Sequence, residues 1–405
     1  MSKLVLLLIA ALVLPTLVLP SLAQQAPRNN EVTPVQRPVV LKRSQTGIEG
    51  QDGEDPDLPD SAGSRINKRD FLLARDEQIN LLRGFPYASA DSRVRAIYAM
   101  KRQEMELAHN RGTAIAARAW KAIGPAPIPN GQTTGITTAV SGRTTAIAVH
   151  PTNPNIAYVG TAQGGLYRTL DGGTTWTPLL DGALSLAIGS VAISPSDPTI
   201  VFVGTGESEF SADSFFGVGI YRITTADTTP VVAGPLNSDG AGGDVFTGRS
   251  VSEIMVHPTN PNIIFASTTS GIGGLSGSQP AIAPGRGLYR STNALAATPA
   301  FTKLNVATAN GGDRSVIDMV IEPGNPNRLV CAVYGLLGAG DGGVYLSTNA
   351  LDPVPTFTQT LQTGTATGNI RTELAINKVG AVVTVVTVWI SFIFCAANRC
   401  SSSAF

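Results

Sequence analysis

The sequence predicts an all-β fold: a β-propeller of four-stranded blades, about four complete and a fifth partial, preceded by a short α-helical segment. Three observations carry this reading. From Trp120 onward helical periodicity stops and short apolar/polar alternations take over. A turn phrase recurs as HPTNPNIAYVG at 150, SPSDPTIVFVG at 194, HPTNPNIIFAS at 257 and EPGNPNRLVCA at 322, each time leading into a strand. Each phrase follows a short strand (TTAIAV, IGSVAI, VSEIMV, VIDMVI) and precedes a third, marked GLYRT at 165, GIYRI at 219, GLYRS at 287 and GVYLS at 343. Markers roughly 60 residues apart, with several short strands in each interval, are what propeller blades require.

The elements follow in chain order. Residues 1–23 read as a secretory signal peptide: a single positive charge at Lys3, an apolar run from Leu4, and small residues Ser21 and Ala23 before a cleavage point at Gln24. Pro15 and Pro20 interrupt the run and argue against a membrane anchor. Residues 24–66 are rich in Pro, Gln, Asn and acid with almost no aromatic side chain, so they form a disordered linker. The acids Asp52, Glu54, Asp55, Asp57 and Asp60 do not make a calcium loop, because Pro56 and Pro59 break the turn. Residues 67–119 form a helical prefix, with apolar residues at helical spacing over 68–83 (Phe71, Leu72, Ile79, Leu82) and 91–118 (Val94, Ile97, Met100, Leu107). Residues 120–388 are the propeller repeats and 389–405 an atypical tail.

Composition narrows the function. Lys plus Arg (29) equal Asp plus Glu (29), and only 14% of the 405 residues are charged, so the basic excess of a nucleic-acid binder is missing. Three cysteines cannot build a disulfide framework, and three scattered histidines point to no metal site. No cofactor is expected. The predicted partners are a protein or carbohydrate ligand and no nucleic acid, outside the cell or in the periplasm or envelope.

One motif is specific. After GLYR the chain reads Thr169, Leu170, Asp171, Gly172, Gly173, Thr174, Thr175, Trp176, which resembles the Asp-box of bacterial neuraminidase-type (BNR) repeats, S/T-x-D-x-G-x-T-W, at every fixed position. Asp and Thr side chains are expected to bond the turn's own backbone, Gly173 to supply a left-handed conformation, and Trp176 to pack between blades. Degenerate copies stand at Ser291, Thr292, Asn293 with Phe301, and at Ser347, Thr348, Asn349 with Phe357. The resemblance covers about residues 120–388 and is shared by sortilin-like receptors, sialidases and xyloglucanase-like glycosyl hydrolases, so it implies the fold more than an activity.

The repeat is incomplete: a fifth unit begins with TELAINK at 372 and VVTVVTV at 382, and its third-strand marker never arrives. Residues 379–397 carry no charge, which leaves open strands of a partial blade, a membrane anchor with membrane contact, or completion by another subunit. The β-branched Val and Thr favour strands.

Two constellations could carry chemistry. Xyloglucanases have a catalytic Asp in a motif resembling Y-x-x-T-D-x-G-G-x-Y-R, and here Tyr158 to Arg168 matches it with Ala162 at the Asp position. A glycosidase needs two carboxylates; Glu207, Glu209 and Asp213 are the weak catalytic candidates. Arg143, Arg249 and Arg314 stand just ahead of the innermost strands, with Arg371 nearly in phase, and at one channel mouth they would grip an anionic group. Alternatively, each pairs with a carboxylate such as Asp313, Glu253 or Asp318 and fastens blades. His150 and His257 read as turn residues. The sequence thus points to a secreted propeller binding module for a protein or glycan, with a glycoside hydrolase or a truncated, inactive fragment of one as the alternative.

Overall fold

A computed structural model describes residues 92–109, 142–209, 214–271, 284–307, 313–335, 341–363 and 369–392. The expected signal peptide, the expected linker, the first expected helix, Trp120 and the tail beyond 392 lie outside them. One helix, α1 (Ser92–His109), stands within the predicted 91–118 span. It buries Ile97 and rests Val94 on the blade core, whereas Met100 points to solvent.

Four four-stranded antiparallel sheets follow, each in simple sequence order. The first blade is β1 (Thr144–Val149), β2 (Ala157–Thr161), β3 (Leu166–Thr169) and β4 (Thr177–Pro178). The second is β5 (Ile188–Ile193), β6 (Val201–Gly206), β7 (Phe216–Thr224) and β8 (Val231–Leu236). The third is β9 (Arg249–Val256), β10 (Ile264–Ser270), β11 (Gly287–Ser291) and β12 (Thr302–Leu304). The fourth is β13 (Val316–Glu322), β14 (Asn325–Val333), β15 (Gly342–Ser347) and β16 (Thr358–Thr363). A two-stranded sheet of β17 (Asn369–Val379) and β18 (Val382–Phe392) ends the described chain. The fold is the predicted β-propeller arrangement, with successive inner strands β1, β5, β9, β13 and β17 packed side by side. The uncharged 379–397 stretch supplies strand through Phe392, and no described helix is long and apolar enough to cross a membrane.

The core lies in the wedges between blades. Middle strands are buried on both faces, which is why they read as unbroken apolar runs. Along β6, Val201 and Val203 face the first blade while Phe202 faces the third. Between the second and third blades Phe246 meets Tyr289 and Phe301 edge-on, with ring centroids 5.2 and 4.9 Å apart. Inner strands approach too closely for a side chain at Gly189, where a Cβ would stand 2.2 Å from the Val251 carbonyl oxygen.

A second device locks blade to blade. The arginine of each third-strand marker reaches into the following blade and donates to backbone carbonyls there: Arg168 to Ala226 and Thr228, Arg222 to Ala294 and Ala296, Arg290 to Ala350, Asp352 and Pro353. The fourth blade has Leu346 at this position. Instead of a bolted wedge, a cleft of about 300 Å3 lies between that blade and the β17–β18 hairpin, lined by Val330, Val344, Leu346, Ile376, Val383 and Val385 among others. Glu322, which replaces the histidine of the turn phrase, pairs with Arg328 of its own sheet (3.1 Å) and ties the two sheets at the rim through Lys378 (2.9 Å). In the phrases that keep the histidine, Nδ1 of His150 accepts from the Asn153 amide and that of His257 from the Thr259 amide, as turn residues do.

The turn at 169–176 closes on itself. Asp171 accepts from the Thr175 amide (2.9 Å) and hydroxyl (2.7 Å) and from the Thr169 hydroxyl (2.8 Å), while Gly173 adopts φ +94°. Trp176 departs from expectation. It is 42% exposed and donates from its indole to the Gly173 carbonyl, covering its own turn rather than an inter-blade wedge, because β4 is only two residues long. Asn293 and Asn349 accept the equivalent amides of Ala300 and Thr356 in the degenerate copies. These bonds hold the Asp171 carboxyl down at about 2, so their stabilisation is present above the ordinary Asp range and fades as pH falls through that value. Asp171→Ala is therefore expected to melt a few degrees lower at pH 7 by circular dichroism, with the difference closing toward pH 2. An equal loss at both pH values would place the effect outside this carboxylate.

Candidate functional site

Strand direction sets which residues can meet. β2 ends and β3 begins at the same channel mouth where β1 begins, as the pairing of Thr144 with Thr161 shows, so residues entering the inner strands share that mouth with the second-to-third-strand loops. The Asp171 turn lies at the opposite end.

The predicted arginines do gather at this mouth, with partners other than those expected. Arg143 bonds Glu207 of the second blade. Arg314 bonds Asp341, whose side chain is almost fully buried. Arg371 reaches Glu209 at 2.7 Å and Glu373 at 2.6 Å, linking the fifth sheet to the second blade. None of the three makes an ion pair with Asp313, Glu253 or Asp318. Strand geometry explains the difference: Glu253 and Asp318 stand four residues after Arg249 and Arg314, more than 10 Å farther along the channel at about 3.3 Å per residue.

Arg249 is different. It donates from Nε to the Pro284 carbonyl (2.6 Å). Beside it stands Arg286, a residue sequence reading missed, which donates to the Ser270 hydroxyl (2.7 Å) and the Asp313 carbonyl (3.0 Å). Neither makes an ion pair among the described residues, and the nearby Asp313 carboxylate is bonded by Lys303. Both guanidinium pKa values are lowered, first by burial and then by a neighbouring arginine: Arg286 for Arg249, and Arg314 for Arg286. The signal was available in the GRG of 285–287, one residue ahead of a third strand, but it falls outside the inner-strand phase that singled out the other four.

Deeper in the channel three inner strands contribute carboxyl groups. Asp318 accepts from the Leu374 amide (2.6 Å) and the Met319 amide (2.7 Å), with the Glu373 carboxyl near enough for its charge to act on it. Burial pushes Asp318 up to about 6 and Glu253 up to about 8, with the charges of Asp318 and Glu373 adding to the second. No trio of His, Cys, Asp or Glu among the described residues is placed to hold a metal ion.

The weak catalytic candidates are tied down where they are described. Glu207 is buried against Arg143, Glu209 is gripped by Arg371, and Asp213 lies outside the described residues. Ala162 is buried in a tight loop, its amide donating to the Arg143 carbonyl at 3.0 Å.

Comparison with known proteins adds a likeness in outline. No family model and no curated protein matches the chain. Among solved structures, an ancestral GH74 enzyme aligns at 16% identity and a TM-score of 0.39 over 57% of this chain and 27% of its own length. The GH74 xyloglucanase of Xanthomonas campestris aligns at 15% identity and 0.30 over 60% and 42%, and the Cps50 (Swd1) β-propeller domain of Myceliophteria thermophila at 11% and 0.38 over 65% and 69%. This chain spans less than half the length of either GH74 protein.

Proposed function

We propose that this chain is a secreted or envelope-associated propeller module that binds a protein or glycan ligand at the mouth where the inner strands begin. We further propose that the ligand presents an anionic group to Arg249 and Arg286. One observation carries the reading: two half-buried guanidinium groups stand side by side, held by neutral carbonyl and hydroxyl acceptors, while Arg143, Arg314 and Arg371 are each satisfied by a carboxylate. Like charges held together in a partly desolvated place repel, and a carboxylate or sulfate on the ligand relieves that repulsion while accepting bidentate bonds. Arg143, Arg314 and Arg371 then shape the mouth rather than grip the ligand.

The test is a calorimetric titration of a uronate oligosaccharide against a neutral one of equal length, at two salt concentrations. Tighter binding of the acidic sugar, weakening as salt rises and falling about tenfold in Arg249→Gln or Arg286→Gln, is expected. Equal binding of both sugars removes the anionic ligand. Sugar release from xyloglucan, β-glucan or sialosides is expected to stay at buffer level. Release abolished by Glu207→Gln or Glu253→Gln would favour the hydrolase instead.

A further inference from the structure

Among the described strands, the outer edges of the sheets are guarded, with one exception. β4 has two residues, one of them Pro178; β8 carries Gly234 and Pro235; β12 has three residues including Lys303; β16 reads TQTLQT. Short length, proline, lysine and polar residues are the devices that keep an exposed sheet edge from pairing with another chain. β18 has none of them. It runs eleven residues, VVTVVTVWISF, with no Pro, Gly or charge, and pairs with β17 in unbroken register from Val379↔Val382 to Asn369↔Phe392. Its far side pairs with no strand in the described sheet. Val382, Val386 and Val388 are each more than half exposed, and the wedge beside the hairpin has the apolar Leu346 in place of a bolt arginine.

We propose that β18 is a dimerisation edge, at which two copies of this chain pair β18 with β18 in antiparallel fashion about a two-fold axis to make one four-stranded sheet. Three features select a second copy as the occupant. An identical strand pairs with itself antiparallel in an isologous interface, the commonest closed symmetry. The composite sheet has four strands, the width of every complete blade here. β18 carries no charge, so self-pairing sets no like charges opposite one another, and the bulge-free β17–β18 ladder continues directly into the new pair. The inference is independent of the anionic ligand, which concerns the mouth and not this edge.

Sedimentation velocity on the full chain at micromolar concentration tests it, alongside Val386→Lys at the edge and Val354→Lys, an exposed residue in the turn before β16. A dimer for the parent and for Val354→Lys, with a folded monomer for Val386→Lys, is the expected result. If Val386→Lys does not fold, hydrogen exchange of the parent decides, the β18 amides becoming at least tenfold more protected between nanomolar and micromolar chain. A monomeric parent, a Val386→Lys dimer, polydisperse aggregates, or binding of phosphatidylcholine vesicles by a monomer each overturns the proposal.

Discussion

Arg290→Met lowers the melting temperature by about 6–12 °C, the largest single-residue loss expected in this chain. The Arg290 side chain is buried and gives hydrogen bonds to Ala350 and Asp352 at 2.6 Å each and a longer one to Pro353. Methionine fills similar space but strands those carbonyls, at about 1–3 kcal/mol for each one left buried. A total of about 3 kcal/mol corresponds to the stated drop at roughly 2–4 °C per kcal/mol for a domain of this size. Arg168→Met and Arg222→Met lose less, since each donor serves two carbonyls. Leu346→Arg gains nothing, because the fifth sheet, two-stranded among the described residues, presents no third-to-fourth-strand turn there to receive a guanidinium. Differential scanning calorimetry reads the effect, and an Arg290→Met protein melting within a degree of the parent, or full rescue by Arg290→Lys, would refute the forked bolt.

Stability falls as pH rises from 5 to 9, opposite to the usual behaviour of surface carboxylates. The folded state raises Glu253 from 4.5 to about 8 and Asp318 from 3.8 to about 6, so it binds protons more tightly than the unfolded chain. Their contribution is fully present below about pH 4 and is lost as pH climbs through about 6 and then about 8. Arg371, bonded to Glu373 and Glu209, offsets part of the repulsion that deprotonation creates. A net loss on the order of 3 kcal/mol between pH 5 and 9 is expected. Glu253→Gln, which mimics the protonated group, removes the upper step of the profile. A flat melting temperature across this range, or an unaltered profile in Glu253→Gln, counts against raised carboxyls at Glu253 and Asp318.

How far the residues spoke for themselves depended on distance along the chain. The 169–176 turn was legible because the side-chain bonds that close it join residues no more than four apart. The phase of Arg143, Arg249 and Arg314 was legible too, since a repeated blade puts repeated positions at one mouth. Glu253 and Asp318 left a trace that a closer reading could use: an acid inside an otherwise apolar inner strand, as in SEIMV and IDMV. The bolts left a trace as well, in the YR of three third strands against the YL of the fourth.

By itself, then, the sequence determined the strands, their turns and the four complete blades of the described residues, because side-chain alternation and turn chemistry act over a few residues. Tertiary structure alone decided the partner of each arginine. Arg371 meets Glu209 across 162 residues, and Arg290 meets Ala350 across 60, so which charges are satisfied depends on how blades stack. That stacking also brought Arg249 and Arg286 together with no ion-paired carboxylate among the described residues, gathered three acids from neighbouring inner strands, and left β18 the one long unguarded edge among the described strands. Each of these is a relation between surfaces, and no local pattern of residues encodes which surfaces will face each other.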